Sequence, residues 1–302
     1  MTLVELTTPE LVVGIDAGRG GVIASALARR VGVELLFQAP WPAGALETAS
    51  RDEEAWTTAW QGGWNLLCPN AGAACEVEGV RHPFHGAASI TPWAVVGQAP
   101  TTVQLRWESG DGLTVQREIS VVAGILRVEN VVTNGGSRPA PTMLVEHLIL
   151  GGEVLGPSTR IRIEAASVIE LANEGHRTGN EDEWPRIVRD GVAADWSARP
   201  PDHSARFGAI HSFAERALRV DVPDRGLELR LSWSEGFPYL WFWEERARET
   251  APPWKRQAVC LGLEPSNSAT GEGLAAALER GDALVLEPGA EAHTVVALEV
   301  IA

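Results

Sequence analysis

Apolar and polar residues alternate with a period of two along almost the whole chain, and that pattern is the strongest constraint on its fold. Such runs span Leu11 to Ala17, Gly21 to Arg30, Val31 to Gln38, Thr101 to Trp107, Leu113 to Val132 and Thr142 to Leu150. They continue through Arg160 to Ala165, Leu218 to Val222, Leu227 to Trp233, Tyr239 to Glu244, Ala258 to Glu264, Ala283 to Leu286 and Ala292 to Ile301. Successive side chains of a strand point to opposite faces, so alternation marks strands with one buried face. Between the runs stand Asp111-Gly112, Asn134-Gly135, Asp224-Arg225-Gly226 and Pro288-Gly289. These sequences favour tight turns, and their close spacing calls for hairpins and meanders. The pattern predicts an all-β chain, a large antiparallel β-sandwich with few short helices.

Two segments depart toward helix. Arg51 to Gln61 has an acidic first turn, and Gly273 to Arg280 is rich in Ala and Leu between glycines. Both are expected to be short and peripheral. Asn173 to Ser204, rich in Glu, Asp, Arg and Pro, reads as an excursion from the sheet edge, a solvated loop in preference to a lid. No composition shift or repeat marks a boundary, so residues 1–302 are read as one domain. A chain of this length buries about three quarters of its surface, enough for one large core.

Charge narrows the partners. With 25 Lys and Arg against 40 Asp and Glu, the net charge is −15, and Lys255 is the sole lysine. A sequence-independent grip on nucleic acid or an anionic membrane needs clustered cations, so neither is an expected partner. The N-terminal stretch lacks the basic and apolar regions of a secretory signal, and a cytoplasmic location is expected. Cys68, Cys75 and Cys260 match no zinc spacing and are expected as thiols, with no metal site. A homodimer is left open.

Three kinds of residue could carry chemistry. His147 sits in Leu144-Val145-Glu146-His147-Leu148-Ile149-Leu150, where alternation puts it on one face with Val145 and Ile149 and puts Glu146 on the other. A ring among strand aliphatics is more often a hydrogen-bonded core histidine than a catalyst. Glu264 ends the apolar run from Ala258 and is held extended by Pro265; taken in isolation, a strand-end carboxylate pointing to solvent is the favoured reading. Trp56, Trp60, Trp64 and Trp93 surround the His85 segment in sequence, and Trp241 and Trp243 share a strand face. Indoles stack on the C–H faces of sugar rings, and they also fill thick cores.

Three blocks, in order, resemble the aldose 1-epimerase (galactose mutarotase-like) superfamily. The first is Gly62-Gly63-Trp64-Asn65-Leu66-Leu67-Cys68-Pro69-Asn70-Ala71-Gly72, followed by His85-Gly86 and Trp93. The second is Val128-Glu129-Asn130-Val131-Val132-Thr133-Asn134, leading through Pro139, Pro141 and Met143 to His147. The third is Leu263-Glu264-Pro265, then Gly273-Leu274, Gly281-Asp282 and Leu286-Glu287-Pro288-Gly289.

The resemblance implies a super-sandwich with a concave sugar cleft and a cofactor-independent isomerase that interconverts the anomers of an aldose. It implies His147 as general acid, Glu264 as general base and His85 holding the sugar near its anomeric end. Arg81, Asn70, Trp64 and Trp241 join His85 as candidate sugar contacts. No cofactor is called for. The chain departs from the pattern where it reads His85-Gly86-Ala87-Ala88-Ser89, without the nearby Arg of many relatives, and Glu146-His147 in place of Asn-His. A phosphate pocket would have to come from Arg81 and Arg256, so an unphosphorylated or unusual sugar is favoured. The competing expectation is a non-catalytic carbohydrate-binding or sensing protein on the same sandwich. Epimerisation at another carbon would need a further group such as Glu244 or Asp202.

Overall fold

A computed structural model describes residues 3–46, 49–172, 175, 177–189 and 191–302. Among them, seventeen strands pair through one continuous ladder, every pairing antiparallel. The ladder folds into two facing sheets. One runs through Leu3–Thr7, Leu11–Asp16, Val22–Ala28, Trp64–Leu67, Val145–Gly151, Val259–Ser266 and Tyr239–Arg246. The other runs through Ala94–Ala99, Thr102–Glu108, Leu113–Val122, Ile125–Asn134, Glu291–Ile301 and Leu227–Trp233.

The long strand Ser204–Val222 joins them. Its first half pairs with Tyr239–Arg246 and its second with Leu227–Trp233. Between the halves Ser212 takes a positive φ of 60°. The partner strand Arg160–Leu171 shifts register between Ile163 and Ala165. An irregularity in both strands at the same level is what lets a ladder turn from one sheet into the next.

Alternation then sorts side chains into two cores. Leu6, Ile15, Leu148, Leu240 and Leu261 of the first sheet meet Val103, Val115, Val128 and Val296 of the second between the sheets. Val145, Ile149, Trp241 and Cys260 point the other way, where Phe37, Trp41, Trp56, Trp60 and Leu274 cover them. A cavity lined by residues of this outer layer opens here.

The structure corrects three expectations. The run Leu113 to Val132 is two strands, because Ala123 and Gly124 turn with positive φ and fold it into a hairpin. The Asn173 to Ser204 segment is no plain loop: it forms strands Arg177–Asp182, Arg186–Arg189 and Val192–Asp195, with Asn173 itself outside the described residues. The first helix, Glu53–Ala59, is not peripheral. Asp52 caps it by accepting from the Ala55 N–H, and Ala55, Trp56, Thr57 and Ala59 are buried. The second helix, Leu274–Arg280, stops at Gly281 in the left-handed region, as its flanking glycines predict.

Candidate active site

Strand register brings the two candidate catalytic residues together. Val145 opposes Ser266 and Ile149 opposes Gly262, so His147 falls opposite Glu264. Trp241 lies opposite Glu264 on its other side. Same-face residues on neighbouring strands are contact neighbours, so one cross-strand row carries His147, Glu264 and Trp241 across the cleft floor. The His147 Nε2 stands 3.9 Å from a Glu264 carboxyl oxygen, with both side chains buried. The Nδ1 of His147 is also buried, and among the described residues it has no hydrogen-bond partner.

Gly262 makes room for the carboxylate. A Cβ there would lie 2.2 Å from one Glu264 carboxyl oxygen, so the strand carries glycine where the glutamate side chain folds over it.

His85 reaches the same cavity from a loop, between the strand Val80–His82 and a turn of 3-10 helix at Ala87–Ser89. Two hydrogen bonds fix it to Gly72: its main-chain N–H donates to the Gly72 carbonyl at 3.0 Å, and its Nδ1 accepts from the Gly72 N–H at 2.9 Å. A ring nitrogen that accepts carries no proton, so the hydrogen of neutral His85 is on Nε2. Gly72 is itself irreplaceable, since a Cβ there would sit 1.8 Å from the Gly271 carbonyl oxygen. Trp56 packs edge-on to both histidines, with ring centroids 4.5 Å from His85 and 5.9 Å from His147, and its indole N–H is held by Ser89.

These groups share a cavity of about 250 Å³ walled by Trp56, Trp60, Trp241, Trp243, Trp254 and Phe84. Burial there disfavours charge. It lowers His147 to about 3 and raises the Glu264 carboxyl well above its ordinary value. His85 is lowered by burial and then by the neighbouring His147. Burial thus works against both charged forms of the facing pair, the imidazolium and the carboxylate.

The remaining sequence candidates divide. Trp241 lines the cavity, its indole N–H donating to the Ser268 carbonyl at 2.7 Å. Trp64 lies between the sheets and donates to Glu146. Asn70 is fully buried and braces the site from behind: its amide donates to the Ala73 and Pro83 carbonyls, and its oxygen accepts from the Leu274 N–H. Arg81 is on the surface, donating to the Arg51 carbonyl, and neither it nor Arg256 lines the cavity. Glu244 is paired with Arg206, and Asp202 with Arg199, away from the cleft. Sequence reasoning missed Gly262, Thr57, Phe207 and Trp254. Only Trp254 carried a signal, an indole after Pro252-Pro253 in an otherwise polar loop.

A family model described as a domain of unknown function, DUF4432, matches residues 2–300. The chain belongs to that family. No curated protein matches it. Solved structures match this DUF4432 chain over its whole length. The Slr1438 protein from Synechocystis is 20% identical with a TM-score of 0.72, covering 99% of this chain and 95% of its own. A galactose mutarotase-like protein from Clostridium acetobutylicum is 13% identical with a TM-score of 0.72 over 99% and 95%. Another from Lactobacillus casei is 15% identical with a TM-score of 0.69 over 99% and 100%. At such identities the likeness is one of fold: this chain has the galactose mutarotase-like sandwich.

Proposed function

We propose that this protein is a carbohydrate mutarotase, an isomerase that exchanges the α and β anomers of an aldose by opening and closing the ring. The observation that carries the reading is the facing of His147 and Glu264 across the cleft floor, with His85, fixed through its Nδ1 to Gly72, lining the same cavity. Ring opening moves one proton off the anomeric hydroxyl and one onto the ring oxygen. A facing acid and base holding one proton between them perform both transfers without external help.

The reading keeps Glu264 as base and His147 as acid. When a sugar displaces water, its hydroxyl donates to the carboxylate and its ring oxygen accepts from the imidazolium, which favours the charged arrangement over the neutral one that burial alone selects. Glu264 then takes the anomeric proton while His147 protonates the ring oxygen, the C1–O5 bond breaks and C1 becomes an aldehyde. Rotation about C1–C2 and reversal of both transfers give the other anomer. His85, a neutral donor, anchors an oxygen near C1. The indole walls stack on the ring's C–H faces. With a net charge of −15, neither nucleic acid nor a membrane surface is a partner in this proposal.

Anomer exchange measured by NMR on free aldoses tests the reading. Wild type accelerates exchange, and Glu264→Gln and His147→Ala lose the acceleration. The wall of indoles favours one second reading, a binding protein without catalysis, which predicts saturable sugar binding and no acceleration.

A further inference from the structure

Two buried polar atoms beside the facing pair have no hydrogen-bond partner among the described residues: the Nδ1 of His147 and the amide oxygen of Asn65. They belong to neighbouring strands. Val145–Gly151 lies between Val259–Ser266, which carries Glu264, and Trp64–Leu67, where Asn65 stands directly opposite His147. Trp64 and Leu66 pack between the sheets and Leu67 packs in the outer layer, so alternation puts Asn65 on the same face as His147. Side chains directly opposite one another on one face have Cβ atoms about 5 Å apart, within reach of an amide and an imidazole. Asn65 is only 4% exposed, so an unfilled amide oxygen there is costly.

The rings around His147 have no acceptor to give. Trp56 and Trp60 pack edge-on against it and their indoles only donate, while the accepting nitrogen of His85 is filled by the Gly72 N–H. The indole N–H of Trp60 is a further unpartnered donor, and an amide oxygen has lone pairs for two.

Which nitrogen holds the ring proton decides what His147 can do. Burial works against the imidazolium, so the resting ring carries one proton. Nε2 is the nitrogen 3.9 Å from the Glu264 carboxyl. A neutral imidazole is a poor acid, so Nε2 must take up a proton before it can give one, and it is free to do so only when the resting proton is on Nδ1. A proton on the Glu264 carboxyl, favoured by the same burial, then moves to the Nε2 lone pair and leaves a carboxylate facing an imidazolium. The Nε2–H passes to the sugar's ring oxygen as the carboxylate takes the anomeric proton and the C1–O5 bond breaks, which returns both groups to their resting forms. The Nδ1–H stays in place and needs an acceptor throughout.

We propose that Asn65 is the positioning residue of His147: its amide oxygen accepts the Nδ1–H, directly or through one bridging water, and fixes the tautomer that leaves Nε2 free to face Glu264. The proposal rests on the mutarotase reading for the work Nε2 does, and not for the pairing itself.

The test is nitrogen NMR of the histidine rings in the sugar-free protein at neutral pH, with the His147 signals assigned by their loss in His147→Ala, followed by anomer-exchange kinetics on free aldoses. The expected result is a wild type with the His147 proton on Nδ1 and a bare Nε2. Asn65→Leu, which fills the space without an acceptor, loses that preference and lowers kcat by about tenfold to a hundredfold, while KM stays within a few-fold because Asn65 does not line the sugar cavity. Asn65→Asp keeps an oxygen in place and retains the Nδ1–H form and most of kcat. Asn65→Ala gives the same reading as the leucine variant where that variant does not fold. A wild type with its proton on Nε2 overturns the proposal and needs no variant to show it. A tautomer unchanged by loss of the amide overturns it too, whatever happens to the rate. Ring signals that respond as expected, with no aldose exchanged faster by wild type, uphold the pairing and remove the mutarotase.

Discussion

Two buried glutamates, Glu146 and Glu264, lie on neighbouring strands with side-chain exposures of 0% and 3%, and they are wired in opposite ways. Glu146 points between the sheets. Arg117 donates to both its oxygens at 2.8 and 2.9 Å, Asn130 donates at 2.5 Å and Trp64 at 2.6 Å. Arg117 and Asn130 come from the facing sheet, so the carboxylate ties the sheets together directly behind His147. Glu264 points into the cleft. Among the described residues it has His147 at 3.9 Å and no hydrogen-bond donor, and burial alone raises its pKa. Equal burial thus says nothing about role. A carboxylate whose lone pairs are filled by donors serves as a structural tie, while one buried without donors is the kind of group found where chemistry is done.

The largest effect expected from that contrast is on catalysis. Glu264→Gln should lower the rate of anomer exchange by about 10²–10⁴-fold while the sugar Kd stays within a few-fold. The same change should not destabilise the protein at neutral pH. A raised carboxyl pKa means the folded state holds a proton that the unfolded chain releases, so the stability associated with Glu264 is full at low pH. It is lost as pH rises from the unfolded value of about 4.3 through the folded one, at ~1.4 kcal/mol for each pH step of one between the two. Urea denaturation of both forms at pH 7 measures this. A Glu264→Gln variant clearly less stable than wild type would break the comparison.

Glu146→Ala should do the reverse. It leaves the Arg117 guanidinium buried without its partner, at a cost of about 3–5 kcal/mol in unfolding free energy. Replacing both, Glu146→Leu with Arg117→Met, should recover much of that loss, because the penalty comes from the uncompensated charge. If Glu146→Ala proved neutral in stability, the tie between the sheets would be dispensable.

The pH dependence of kcat/KM sharpens the cleft side of the contrast. The pair is competent while it holds one proton. His147 gains a second only near its lowered value of about 3, and Glu264 loses the one it has only above the usual carboxylate range. The expected profile is a broad plateau bounded by an acid limb well below the ordinary histidine range and an alkaline limb above the ordinary carboxylate range, both belonging to the pair. A narrow bell lying between the ordinary Glu and His values, near about 4.3 and 6.5 in peptides, would show that neither group is desolvated.

Much of this arrangement was legible in the residues and some was not, for reasons of range. Period-two alternation placed His147 and Glu146 on opposite faces, because the face of a strand residue is a local property. The sandwich followed from the same periodicity and from the turn sequences. What alternation cannot supply is the partner. The neighbours of Glu146 lie 16, 29 and 82 positions away, so nothing around it announces an ion pair. Trp64 and Asn70, expected against a sugar, are turned inward for the same reason: their hydrogen-bond partners are set by strand pairing and loop closure. The first helix looked peripheral because its polar ends dominate its sequence, yet Trp56 within it and Trp60 just beyond it wall the cleft. The Asn173 to Ser204 segment concealed short strands under a charged composition.

The smallest predicted effect isolates geometry from charge. Gly262 lies two residues before Glu264 on the same face, and a methyl added there meets the carboxyl oxygen at 2.2 Å and the Ile149 Cδ1 at 3.1 Å. The backbone of Gly262 is not in the left-handed region, so alanine brings no conformational penalty of its own. The carboxyl is the far end of a flexible side chain and can swing away, while Ile149 gives by a few tenths of an ångström. Gly262→Ala should therefore leave the unfolding free energy within about 1 kcal/mol of wild type. Catalysis should be less forgiving, because a base displaced by about an ångström from its proton loses on the order of ten- to a hundredfold in rate. Exchange kinetics and urea denaturation on this variant separate the position of the base from the packing around it. Full activity would mean that the carboxyl position seen beside Gly262 is not the working one, and a large loss of stability would mean that the outer layer is packed too tightly to let it move.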